Sequence, residues 1–133
     1  MAALTQERNT PFSFGESLLI PAKAAEVIFA GALVARDANG EAVNAADTAD
    51  LKVLGRCEET VDNTNDGKYV KIKRGPFWFD NDGNITNAHL GLNATVLDNQ
   101  TVSLASVTTN DVVAGKILAV DPALGVLVDT RFA

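Results

Sequence analysis

Cysteine and histidine are almost missing from this 133-residue chain, which has one of each, Cys57 and His89. One cysteine excludes an internal disulfide and a cysteine-built zinc site. One histidine excludes a metal site built on two. Basic residues are scarce too, 11 against 17 acidic, for a net charge of −6. That balance argues against a duplex nucleic-acid binder, which needs a basic face to displace counterions. It argues equally against docking on an anionic membrane. Long apolar runs are lacking. The most apolar stretch, Leu18 to Ala35, is broken by Pro21, Lys23 and Glu26, and a bilayer span needs about 20 mostly apolar residues. Met1 to Thr10 carry Glu7 and Arg8 without an apolar run, so no secretion signal is expected. A lone thiol fits a reducing compartment. The expectation is a soluble protein made in a cytoplasm.

What is present points to strands. Apolar residues make up 47% of the chain and charged residues 21%, the balance of a folded domain. Val, Ile and Thr number 14, 5 and 11, which favours β-structure. Ala32–Arg36 and Glu41–Asn44 flank Asp37-Ala38-Asn39-Gly40 as a hairpin. Lys52–Thr60 reads as a strand region with a bulge at Gly55. Lys68–Phe79 reads as another, bent at Gly75-Pro76 and followed by a tight turn at Asp80–Gly83. Ala94–Leu97 and Thr101–Ala105 flank Asp98-Asn99-Gln100. Val112–Val120 and Gly125–Thr130 flank Asp121-Pro122-Ala123-Leu124. Helical turns are expected only at Pro21–Glu26 and Asn44–Asp50, with Asn44 as cap. Ala30–Asp37 resembles Ala114–Asp121, as two hairpins of one barrel would. The expected fold is mainly β, a small β-barrel or compact β-sandwich (residues 22–133) with an extended N-terminal arm (residues 1–21).

No constellation in the sequence points to catalysis, a metal or a cofactor. His89 would have to be the base of any Ser-His-Asp system, and no serine sits in a Gly-x-Ser-x-Gly context. Cys57 is followed by Glu58 and Glu59, which would raise a thiol pKa. Asp62-Asn63-Thr64-Asn65-Asp66-Gly67 matches the first half of a calcium loop. Its twelfth position, however, is Lys73 where a bidentate Glu belongs. An Asx-rich turn accounts for the same residues. Glu58 and Glu59 face opposite sides of a strand and form no acid–base pair.

One segment concentrates the scarce residue types. Lys68 to Phe79 holds 4 of the 11 basic residues and 4 of the 8 aromatics. Alternation puts Val70 and Ile72 on one face and Tyr69, Lys71 and Lys73 on the other. Such a strand could stack single-stranded nucleic acid, meet an acidic protein surface, or be a plain solvated face over a Phe and Trp core. The acidic remainder of the chain speaks against the first. Thr10-Pro11-Phe12-Ser13-Phe14-Gly15 is an aromatic segment with no strand partner. It either folds back on its own domain or reaches a neighbouring subunit.

The order of these pieces resembles a known family. The hairpin Gly31–Val43 leads to Ala45-Ala46-Asp47-Thr48-Ala49-Asp50-Leu51-Lys52-Val53-Leu54-Gly55, then Glu58-Glu59-Thr60-Val61-Asp62-Asn63. A Gly-containing turn then enters Val70-Lys71-Ile72-Lys73-Arg74-Gly75-Pro76-Phe77. Val96–Val102 and a closing Ala114-Gly115 hairpin ending in Val126-Leu127-Val128-Asp129 follow. Over Ala30–Thr130 this resembles the capsid cement, or head decoration, proteins of tailed bacteriophages. The resemblance implies a non-enzymatic β-rich protein without cofactor or metal. It implies a homotrimer bound to the major capsid protein on the outer virion surface, made in the host bacterial cytoplasm. It also implies an N-terminal segment used in docking. Phe12, Phe14, Lys71, Lys73 and Arg74 are the expected capsid or subunit contacts. The alternative class is another phage structural or binding module, from a tail or baseplate or a carbohydrate-binding domain.

Overall fold

The computed structural model describes residues 2–10 and 16–133. It is built almost wholly of short strands: β1 (Ser17–Pro21), β2 (Val27–Ile28), β3 (Leu33–Arg36), β4 (Ala42–Asn44), β5 (Lys52–Cys57) and β6 (Val61–Asp62). β7 (Tyr69–Lys73), β8 (Pro76–Asn81), β9 (Asn93–Val96), β10 (Thr101–Ser103), β11 (Val113–Asp121) and β12 (Gly125–Asp129) complete it. Single 3-10 turns lie at Asn87–His89 and Thr130–Phe132. Asp side chains set the three hairpin turns read from the sequence. Asp37 Oδ1 accepts from the N–H of Asn39 and Glu41, Asp98 Oδ1 from Gln100 and Thr101, and Asp121 Oδ1 from Ala123 and Leu124. Each carboxylate thus fixes its own turn locally.

β8, β9, β10, β11 and β12 close into a barrel in the order β10-β8-β12-β11-β9. The remaining long strands form a sheet in the order β1-β7-β5-β3-β4. This sheet curls until its ends touch. Ala22, just past β1, bridges Ala42 of β4, and Lys23 N–H donates to the Ala42 carbonyl at 3.0 Å. The β2–β6 ribbon covers the hollow. The hairpins at Asp37 and Asp121 therefore belong to different sheets and not to one barrel.

Two apolar cores follow. The first joins barrel residues Phe79, Val96, Val102, Ile117, Val126 and Val128 to Leu33, Ala35, Val43 and Val53 of the curled sheet. The second lies inside the curl and holds Ile28, Val34, Cys57, Val61, Val70 and Ile72. β3 serves both, with Leu33, Val34 and Ala35 fully buried. Simple alternation does this for β3, and the expected bulge at Gly55 lets β5 do the same in its own way. Val34 pairs with Gly55 and Ala35 with Val53, so Leu54 is the extra residue. Val53 then joins the barrel core while Cys57, which simple alternation would place beside it, joins the other. Gly55 has φ +157, and a Cβ there would sit 2.6 Å from the Lys73 carbonyl oxygen. Gly115 (φ +151) is tighter, at 2.2 Å from the Asp129 carbonyl oxygen.

Several expectations need correction. Pro21–Glu26 is not helical: Pro21 ends β1, and Ala25 turns the chain with φ +63. Glu26 instead receives the Asn44 backbone N–H and side-chain amide, both at 2.9 Å. Asn44 is therefore a β4 residue and not a helix cap. Its own amide oxygen accepts from Asn99 at 3.0 Å, which links sheet to barrel. Residues 17–21, assigned to the arm from sequence, are the first strand of the folded sheet. Trp78 is 38% exposed on the barrel exterior, opposite Leu127, while Phe79 alone of the described aromatics is buried in the core.

Backbone fit at Gly115 yields a direct test. Gly115→Ala should lower unfolding free energy by at least about 2 kcal/mol, since backbone must move to admit the methyl. Gly40→Ala, with φ +80 and nothing within 4 Å of the added carbon, should cost only about 1 kcal/mol. Equilibrium denaturation of both variants checks the contrast.

Candidate interaction surface

β7 alternates as its sequence predicts. Val70 and Ile72 are fully buried, while Tyr69, Lys71 and Lys73 are exposed. β1 lies antiparallel beside it, pairing Ser17 with Lys73, Leu19 with Lys71 and Pro21 with Tyr69. Leu19 is 66% exposed and Tyr69 56%. The two strands thus present one outer face that is both apolar and basic. Arg56 of β5 stands next to Lys73. It is engaged: its guanidinium donates to Glu58 at 2.7 Å and lies over the Phe77 ring. Among the described residues neither Lys71 nor Lys73 makes an ion pair. Cross-strand neighbours on one face act together, so the lysines and Leu19 form a unit that sequence alternation along β7 alone does not reveal.

Arg74 leaves that face. Its N–H donates to the Glu16 carbonyl at 2.7 Å, and its guanidinium reaches the Arg131 carbonyl at 3.4 Å. It lines a shallow depression with Leu18, Leu54 and Thr130. The chain then passes from sheet to barrel at Gly75. Thr130, buried, clamps this crossing: its hydroxyl accepts the Gly75 N–H at 2.9 Å, donates to the Gly75 carbonyl at 2.8 Å, and its N–H donates to the same oxygen. Asp129 beside it is buried and takes both arms of Arg131, at 2.9 and 2.8 Å. Phe12 and Phe14 lie outside the described residues.

The other sequence candidates are accounted for locally. His89 Nδ1 accepts the Thr86 N–H at 2.9 Å and closes the capping box of the 3-10 turn. Cys57 is buried in the curled-sheet core, and its thiol donates to the Glu59 carbonyl at 3.1 Å. Burial is the main cause that pushes this thiol up; the neighbouring Glu58 and Glu59 add less. In the calcium-like loop, Asp62 accepts from the Thr64 backbone and hydroxyl. Asn63 turns inward, donates to the Ala22 and Lys23 carbonyls and accepts from Lys68 N–H. That inward asparagine tethers the loop to the end of β1, a role the sequence pattern does not signal. Beyond Asp80, burial opposes ionisation of Asp82, but bonds from Ser103 and Asn84 outweigh it and hold the carboxyl below its usual range.

Comparison of the chain with protein-family models, curated proteins and solved structures gives no match.

The Arg131 bond holds the Asp129 carboxyl below its usual range, against an opposing effect of burial. A depressed folded-state pKa stabilises the fold above the unfolded value, about 3.9, and that stability is lost as pH falls through the folded value. Asp129→Asn should therefore cost about 1–2 kcal/mol at neutral pH, with Arg131 half exposed and partly screened. Its stability should also fall less than that of the unaltered chain below about pH 4. Thermal unfolding across that range measures both.

Proposed function

We propose that this chain is a non-enzymatic structural protein that binds the outside of a tailed-phage capsid and stabilises contacts between major capsid subunits. The observation that carries the reading is the outer face of β1 and β7. It places Lys71 and Lys73 beside Leu19 and Tyr69 in a molecule of net charge −6. An exposed apolar residue flanked by free cations suits a flat, acidic protein partner better than a small ligand. The order of motifs from Ala30 to Thr130 supports the same class. On this reading the protein acts as a homotrimer on the virion surface. Each copy adds weak contacts that symmetry multiplies, and the acidic remainder keeps decorated particles apart in solution.

Binding of the purified protein to undecorated capsids, read by co-sedimentation, tests the proposal. Lys71→Glu with Lys73→Glu should weaken binding at least about tenfold and steepen no unfolding transition, since both side chains are solvated. His89→Ala and Cys57→Ser should leave occupancy unchanged wherever circular dichroism shows an intact fold. Unchanged binding by the double lysine variant would remove this face from the mechanism. Occupancy far below the copy number of the capsid protein would favour a tail or baseplate module.

A further inference from the structure

The pairing register of β1 determines which of its peptide groups are used. Arg74 N–H donates to Glu16 O, and Ala22 N–H donates to Lys68 O. With Ser17 opposite Lys73 throughout, the bonded positions are Glu16, Leu18, Ile20 and Ala22. Ser17, Leu19 and Pro21 therefore point their peptide groups away from β7. Among the described residues nothing accepts the Ser17 or Leu19 N–H or donates to the Ser17 or Leu19 carbonyl, while the Pro21 carbonyl faces the Ala42 N–H across the Ala22–Ala42 bridge. The opposite edge is closed, because Ala42 O accepts from Lys23 N–H and Asn44 N–H donates to the Glu26 carboxylate. The barrel has no edge. β1 is also thinly covered. Leu18 and Ile20, which face the inner core, remain half-buried, and Leu19 is largely exposed. An open edge of this kind is a template for another strand.

The same chain carries an unpaired strand-length peptide. Ala2–Thr10 are all exposed and form no backbone hydrogen bond with any described residue. Leu4 is 70% exposed. The segment contains no proline before Pro11. We infer that the Ala2–Arg8 segment of one copy adds to β1 of a second copy as a further antiparallel strand. With Leu4 opposite Leu19, Gln6 falls opposite Ser17, and each pair exchanges both peptide bonds. Leu4 covers Leu19 on the outer face, while Ala3 and Thr5 cover Ile20 and Leu18 on the inner one. Pro21, which lacks an N–H and whose carbonyl faces Ala42, sets the end of the pairing. Every copy has one arm and one edge, so exchange around a ring leaves neither unsatisfied. This assembly goes beyond the capsid reading and does not require it.

The test uses the purified full chain without capsids. Sedimentation velocity over a wide concentration range should show assembly by the unaltered protein. Deleting Ala2–Thr10 should weaken it at least about tenfold. Leu19→Pro should do the same, because it removes only an outward N–H and leaves the Leu18 and Ile20 bonds to β7 in place. Amide exchange gives a readout that does not depend on the proline variant folding. The Leu19 N–H should be protected in the assembled protein and exposed on dilution or after the deletion. A chain that stays monomeric, or assembles equally well without the segment, overturns the inference. Concentration-independent protection of Leu19 would place the chain's own arm on the edge. Protection only on adding capsids would place the capsid there. Either result also overturns strand exchange between copies.

Discussion

The middle of the curled sheet must bury two faces, and its margin buries only one. β3 and β5 lie between the barrel core and the core inside the curl, so Leu33, Val34 and Ala35 are all sequestered. Ordinary alternation lets β3 serve both, with Leu33 and Ala35 toward the barrel and Val34 into the curl. The bulge at Leu54-Gly55 switches faces partway along β5, so Val53 faces the barrel and Cys57 the curl, and only glycine fits where the Lys73 carbonyl approaches. β7 and β1 lie beyond the barrel's reach. Their inner side chains fill the curl and their outer ones meet solvent. The basic and apolar face is thus a consequence of where the barrel stops covering the sheet.

The two halves are held by more than apolar contact. Thr130 grips Gly75 where the chain crosses from β7 to β8, and Asn99 ties the barrel turn to β4 through Asn44. Asp47 accepts the Thr109 and Asn110 N–H groups across the same junction. These bonds use buried or fixed polar groups whose partners lie far off in sequence. Loss of one leaves its mate unsatisfied, which costs more than the bond contributes. The outer face of β7 is therefore displayed on a rigid frame. That suits a surface that binds by shape and charge without closing around a ligand.

Much of this was legible in the residues. Asp at the head of three turns located three hairpins, Gly55 marked the bulge, Gly75-Pro76 marked the crossing, and the alternation from Tyr69 to Lys73 gave the exposed lysines. β1 was hidden because Leu18-Leu19-Ile20 is apolar on both faces and ends in Pro21, which imitates a helix start. Its outward Leu19 was hidden with it. β2 and β6 have two residues each, too few for any periodicity. Glu26, Asn44 and Asn63 look like turn or cap residues in sequence. Their side chains reach partners as far as 55 positions away, a distance that local propensity does not register. Arg74 looked continuous with Lys71 and Lys73, but the bend at Gly75 turns it toward Arg131.

The central claim is that the outer face of β1 and β7 is where this protein meets its partner. Lysine acetylation read by mass spectrometry tests it most directly, comparing free protein with protein bound to capsids. The chain offers internal controls in Lys52 and Lys116, which lie on other strands. The account predicts that Lys71 and Lys73 become protected on binding while Lys52 and Lys116 stay reactive. Protection of Lys52 or Lys116 with Lys71 and Lys73 still reactive would contradict it.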